Sequence, residues 1–145
     1  MGHASKSIEV EVPVEAFVAV VRDYARYPQF VPELHKVLVD PQGDAVDVTY
    51  WLDAKLKVFE FTLRHELRED GLRIDWRLVR GGDYMRRNTG HWQFEPTPKG
   101  TRAVYTIDID FGPHVPAAFE KQLVLRGLPN MLANFKARAE ALQRG

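Results

Sequence analysis

The chain has 145 residues, with Lys plus Arg and Asp plus Glu each totalling 20, so its formal net charge is zero. That length suits one domain with its own core, and the neutral balance excludes bulk electrostatic attraction to nucleic acid, which needs a basic surface. The absence of cysteine excludes disulfides, thiolate metal sites and cysteine nucleophiles, and makes a reducing cytoplasm the expected location.

No apolar run reaches the length of a membrane span. Met1-Gly2-His3-Ala4-Ser5 lacks a basic region followed by an apolar one, so no signal peptide is expected. Met1-Gly2-His3 reads as an added leader, and residues 1–4 are expected to be disordered or non-native. Ile8, Val10 and Val12 alternate with Glu9 and Glu11 from Ser7, which predicts a first strand. Pro13 suits a first helical turn, where its missing N–H would be unpaired anyway, and Val14, Phe17, Val18 and Val21 follow at helical spacing. A helix over Pro13–Tyr24 is predicted, then a second short helix or turn over Tyr27–Leu34, anchored by Phe30 and Val31.

Turn signals then recur at strand spacing: Pro41 to Asp44, Ala54 to Lys57, Asp70-Gly71, Gly81 to Asp83, and Pro96 to Gly100. Asp70-Gly71 predicts a tight type I′ hairpin, which needs positive φ at both central residues. The predicted strands are His35–Asp40, Ala45–Asp53, Val58–Glu69, Leu72–Val79, Tyr84–Glu95 and Thr101–Phe111. Short turns make them antiparallel. Pro116 opens a last helix with an apolar stripe of Phe119, Leu123, Leu128, Leu132, Phe135, Ala139 and Leu142. Gly127 and Pro129 predict a kink or break near Leu125 to Pro129. The expected class is α+β: a seven-stranded antiparallel curved sheet wrapped around a long C-terminal helix, with two short helices after strand 1. The domain is expected to span 1–145.

These residues resemble the Bet v1-like or START-like superfamily with its helix-grip fold, in the branch of polyketide cyclases and dehydrases and coenzyme Q-binding proteins. The resemblance rests on Asp23-Tyr24-Ala25-Arg26-Tyr27-Pro28-Gln29-Phe30-Val31-Pro32, on Gly90-His91-Trp92-Gln93-Phe94-Glu95-Pro96, on Gly100-Thr101 leading to Tyr105, and on Pro113 to Pro116. It implies a hydrophobic small-molecule ligand (lipid, isoprenoid or polyketide-like aromatic), a cyclase that closes and dehydrates a poly-β-ketone, or a role at the ribosome or respiratory chain. Pro32-Glu33-Leu34 stands where coenzyme Q-binding and ribosome-associated members carry a Pro-Trp-Cys-like element, a departure from those two roles.

No phosphate loop, His-Glu-x-x-His, Gly-x-Ser-x-Gly or zinc-type spacing is present, so no cofactor or metal is implied. Asp108 and Asp110 share an outer strand face. The cluster Arg77, Arg80, Arg86 and Arg87 is interleaved with Asp75 and Asp83 and reads as a solvated hairpin. The inner face carries the candidate ligand contacts: Tyr50, Phe61, His65, Trp76, Arg86, Asn88, Trp92 and Tyr105, with Phe119 and Leu123 from the helix. Bulky side chains with polar tips suit a pocket with scattered donors. Gly90, whether or not it forms a bulge, would open room beside Trp92. His65 and Arg86 are the catalytic candidates, the first, or else Tyr105, as proton carrier and the second, or else Asn88, as oxyanion partner; the alternative for His65 is a core histidine with one hydrogen bond. The last helix and the Tyr24-to-Pro32 segment would gate the mouth. The pattern leaves the oligomeric state open.

Overall fold

A computed structural model of the chain describes residues 2–54 and 57–144. Strand β1 covers Gly2–Val10. Residues 2–4, expected to be disordered, therefore belong to the sheet: Gly2, His3 and Ala4 pair with Ile109, Asp108 and Ile107. Gly2 is buried, and a Cβ there would stand 2.9 Å from a Val124 methyl, so a residue without a side chain lets the strand end meet the terminal helix.

Helix α1, Val14–Arg22, follows Pro13 and buries Phe17, Val20 and Val21. The second helical piece is a single 3₁₀ segment, Tyr24–Gln29, starting earlier than the spacing predicts because Tyr24 and Tyr27 are both drawn inside. Six strands follow: β2 Leu34–Gln42, β3 Ala45–Asp53, β4 Val58–Arg68, β5 Arg73–Arg80, β6 Arg87–Thr97 and β7 Gly100–Asp110. All neighbours are antiparallel, in the order β1-β7-β6-β5-β4-β3-β2. The first two strands of the chain are thus the two edges of one curved sheet.

The β4–β5 turn differs from expectation. Arg68 pairs with Arg73, so the β4–β5 loop comprises residues 69–72 and is not a two-residue hairpin. Glu69 and Asp70 both take positive φ (53° and 55°), and Leu72 N donates to Glu69 O at 3.0 Å. The expected turn at Ala54 to Lys57 is closed by Ala54 N donating to Lys57 O at 2.9 Å; its central residues 55 and 56 lie outside the described residues.

β5 and β6 stay paired only from Arg73–Gln93 to Trp76–Gly90. Beyond that point β5 follows β4 and β6 follows β7. The residues between turn through a short 3₁₀ piece, Gly82–Tyr84, with a bend at Arg86. A Cβ on Gly81 would lie 2.4 Å from Met85 O, so only glycine permits this return.

The terminal helix does not break. α2, Ala117–Gln122, runs through a π-helical turn, Leu123–Gly127, into α3, Leu128–Arg144. Leu128 N donates to Leu123 O. This i→i−5 bond widens the helix just before Pro129, whose missing N–H and ring would otherwise disrupt an α-helical turn. Leu128, Leu132, Phe135 and Ala139 are buried, whereas no residue of the π turn is. Phe135 meets Tyr27, Phe30 and Trp92 with ring centroids 5.1, 5.1 and 5.4 Å apart, which ties the helix to both the 3₁₀ segment and the sheet.

Candidate ligand cavity

Between the concave face of the sheet and the terminal helix lies a cavity of about 240 Å³. Alternation along each strand supplies its wall. β3 contributes Tyr50 and Leu52, β4 Phe61, Leu63 and His65, β5 Trp76, β6 Asn88 and Trp92, and β7 Tyr105, Ile107 and Ile109. The π turn and α3 close it with Leu123, Val124, Gly127, Leu128, Met131 and Phe135. Tyr27, Val31, Glu33 and Leu34 complete it at the 3₁₀ end. Glu33 is the one exposed lining residue among the described residues, and Leu52, Ile107, Leu123, Val124, Gly127 and Met131 are half-buried. The cavity therefore reaches the surface between the β2–β3 end of the sheet and the π turn.

The polar atoms in this wall are mostly spoken for. Tyr50 Oη and His65 Nε2 are hydrogen-bonded at 2.9 Å. The Tyr24 ring lies 4.5 Å from the imidazole, centroid to centroid. Burial disfavours the imidazolium and drives the His65 pKa down to about 3, so the ring is neutral at physiological pH. Trp76 Nε1 donates to Asn88 Oδ1 at 2.9 Å, and Asn88 Nδ2 reaches Met85 Sδ at 3.8 Å. The Tyr27 hydroxyl donates to Val21 O. Burial raises the pKa of Tyr27, Tyr50 and Tyr105 alike, so all three stay protonated.

The Trp92 indole N–H has no hydrogen-bond partner among the described residues, and neither does the Tyr105 hydroxyl. Tyr105 is buried between Trp76 and Trp92, with ring centroids at 5.0 and 4.9 Å. A buried phenol normally finds a partner. Here the hydroxyl belongs to the cavity wall and is available to an occupant.

The structure brings together eight of the expected contacts: Tyr50, Phe61, His65, Trp76, Asn88, Trp92, Tyr105 and Leu123 all line the cavity. Arg86 does not. It is exposed at the bend before β6, and Met85 takes the inward position. Extrapolating the alternation of β6 back to Arg86 fails because the strand starts at Arg87. Phe119 is also off the wall: it packs against Phe59 and Phe111 at 5.8 and 5.9 Å, beyond the end of the cavity. Gly90 opens no room beside Trp92. Its missing side chain is replaced by Trp76, whose Cζ2 would lie 2.4 Å from a Cβ there. Tyr27, Met85, Met131 and Phe135 were not among the expected contacts; Phe135 already stood in the helical stripe and Tyr27 in the expected gate.

Outside the cavity, Asp108 and Asp110 face Arg87, at 3.0 and 4.0 Å, and no cluster of potential metal ligands occurs among the described residues. No described helix is long and apolar enough to cross a membrane.

Residues 1–140 match the family model described as polyketide cyclase / dehydrase and lipid transport. The chain belongs to this family. A Streptomyces cyaneus protein provisionally named a polyketide cyclase is 27% identical over 96% of this chain and 94% of its own. Among solved structures, the Zhui aromatase/cyclase from Streptomyces sp. R1128 superposes with a TM-score of 0.85 at 17% identity, over 96% of this chain and 93% of that one. A START superfamily protein from Mycobacterium smegmatis gives 0.83 at 20% identity over 97% and 98%. A STAR-related lipid transfer protein from Xanthomonas axonopodis gives 0.77 at 16% identity over 94% and 85%. At these identities the structural likeness establishes the helix-grip fold of the START/Bet v1-like superfamily and nothing finer.

Proposed function

We propose that this chain binds a compact hydrophobic molecule carrying at least one hydrogen-bond acceptor, in the cavity between sheet and terminal helix. The observation that carries the reading is an apolar, aromatic-walled cavity in which the hydroxyl of Tyr105 is left without a partner among the described residues. An apolar cavity of about 150 Å³ takes up benzene, so 240 Å³ suits a ligand of about two fused rings or a short branched chain. A polyketide-like aromatic or a short isoprenoid fits that description better than a long acyl lipid. The family's association with polyketide cyclisation and lipid transport supports the same class.

The test uses two probes of similar shape, naphthalene and 2-acetylnaphthalene, whose carbonyl accepts a hydrogen bond. Native mass spectrometry and titration should show one molecule of either bound per chain. Tyr105→Phe should weaken 2-acetylnaphthalene by about 2- to 12-fold, the worth of one net hydrogen bond, and leave naphthalene unchanged. Failure of both probes to bind the parent chain would refute the cavity's role, and equal weakening of both would refute that of Tyr105.

A second reading, cyclase chemistry, is favoured by the similarity to the Streptomyces cyaneus protein. The cavity would hold a reactive poly-β-ketone in a folded pose, and the Tyr105 hydroxyl would donate to a developing enolate oxygen. His65, neutral and tied to Tyr50, would orient the wall and make a weak base. If this reading holds, Tyr105→Phe slows turnover of bound polyketone more than it weakens binding.

A further inference from the structure

The two edges of the sheet are treated differently. Along β1 the terminal helix reaches over the edge: Lys136 Nζ donates to Glu9 O at 2.7 Å, and Glu11 N donates to Glu140 Oε2 at 3.0 Å. Along β2 no element other than β3 bonds to the main chain of residues 37–40 among the described residues. Leu38 is 55% exposed and Val39 36%. An open edge bearing apolar side chains is a template for another strand. Gln42 pairs with Ala45 across a two-residue loop, which makes them a hydrogen-bonded pair. Alternation then turns the main-chain groups of Leu38 and Asp40 towards β3 and those of Val37 and Val39 outward.

We propose that β2 of a second copy of this chain pairs antiparallel with this edge, about a two-fold axis at Leu38, and joins the two sheets into one. The strand is self-complementary about that point. Val37 meets Val39 of the other copy on the inner face, and their main-chain groups form the ladder. On the outer face Leu38 meets itself, and Lys36 meets Asp40 on both sides of the axis. Neither charge has an ion-pair partner among the described residues. Lys36 Nζ stands 4.8 Å over the Trp51 ring, and Asp40 accepts only from Gln42 Nε2, at 2.9 Å. Asp40 also lies in register with Asp47, whose own carboxylate is taken by Arg64. Moving the axis one residue, to Val37 or Val39, sets Lys36 against Leu38 or Gln42 and removes both ion pairs. Pro41, which lacks an N–H, ends the ladder and keeps it short. The contact is isologous, so it closes at two copies.

Sedimentation velocity of the full chain over a concentration series tests this. The parent chain should dimerise. Lys36→Asp and Asp40→Lys should each move the monomer–dimer midpoint upward by about tenfold or more, because each sets two like-charge pairs across the axis. An equimolar mixture of the two variants should recover the dimer, since each carries the charge the other lacks, and this recovery also shows that both are folded. Amide exchange at Val37 and Val39 should slow as concentration rises. A parent chain that is monomeric up to about 1 mM, single variants that associate as well as the parent, or a mixture no better than its components would each overturn the proposal.

Discussion

His65 has a neutral imidazole whose burial holds its pKa near 3. In the unfolded chain the same ring takes up a proton near pH 6.5. Below that value the unfolded state binds a proton that the folded state refuses, so stability is complete above about pH 6.5 and falls as pH drops towards 3, by about 1.4 kcal/mol per pH unit. Three carboxylates behave differently. Asp47, held low by its hydrogen bond from Arg64, Asp110 by the Gly112 N–H and Glu140 by Lys136 lend stability above their ordinary pKa values and lose it only at lower pH. The window between about pH 6.5 and 4.5 therefore reports on His65 together with His91, whose pKa burial also lowers. Urea unfolding across that window should show a declining stability for the parent chain and a much flatter line for His65→Gln. Parallel lines would mean that His65 becomes protonated in the folded protein, and would revive it as a proton carrier in the cavity.

At the level of the strands, Trp76 and Gly90 face each other across β5 and β6 at the last pair before the two strands part. The indole fills the place of the missing side chain and reaches on to Asn88. Gly90→Ala would put a methyl 2.2 Å from Thr106 O and 2.4 Å from Trp76 Cζ2. It should cost about 2–4 kcal/mol by forcing the sheet or the indole aside, measurable by denaturant unfolding, and should reduce probe uptake by tilting Trp76. Alternation in the sequence predicted the aromatic wall, because a period of two places Tyr50, Phe61, His65 and Trp76 on one face whatever the ligand. It failed at Arg86 because the turn before β6 depends on the close approach of Gly81 to Met85, a contact distant from any pattern of polarity. The hairpin at Asp70 failed for a related reason: Glu69 also adopts positive φ, which no preference of glutamate suggests. The π turn was visible in part. The apolar stripe steps five residues from Leu123 to Leu128, one more than an α-helix repeats, and a single widened turn absorbs that step without the break that Pro129 suggests.

On the scale of the whole molecule, the sheet and the terminal helix enclose a space whose size is set by one short stretch. Phe135, Leu132 and Leu128 anchor α3 in the core, while Leu125 of the π turn is 59% exposed and Gly127 carries no side chain. The wall is rigid at the α3 end, where Tyr27, Trp92 and Phe135 interlock, and thinnest at the π turn, where the cavity meets the surface. Ligand size is therefore the decisive variable. A series of aromatic ketones from one to four fused rings, each at about one hundred times its dissociation constant where it binds, should stabilise the fold by about 2.7 kcal/mol, or roughly 5–15 °C in melting temperature. With the helix in the observed position, the one- and two-ring members fit within 240 Å³ and should give that shift, whereas the four-ring member should give none. A full shift with four rings would mean that the π turn moves outward on binding. In that case Leu123 and Val124 should lose amide protection in the complex while Phe135 keeps its own. If the helix stays in place, protection should rise at both ends together.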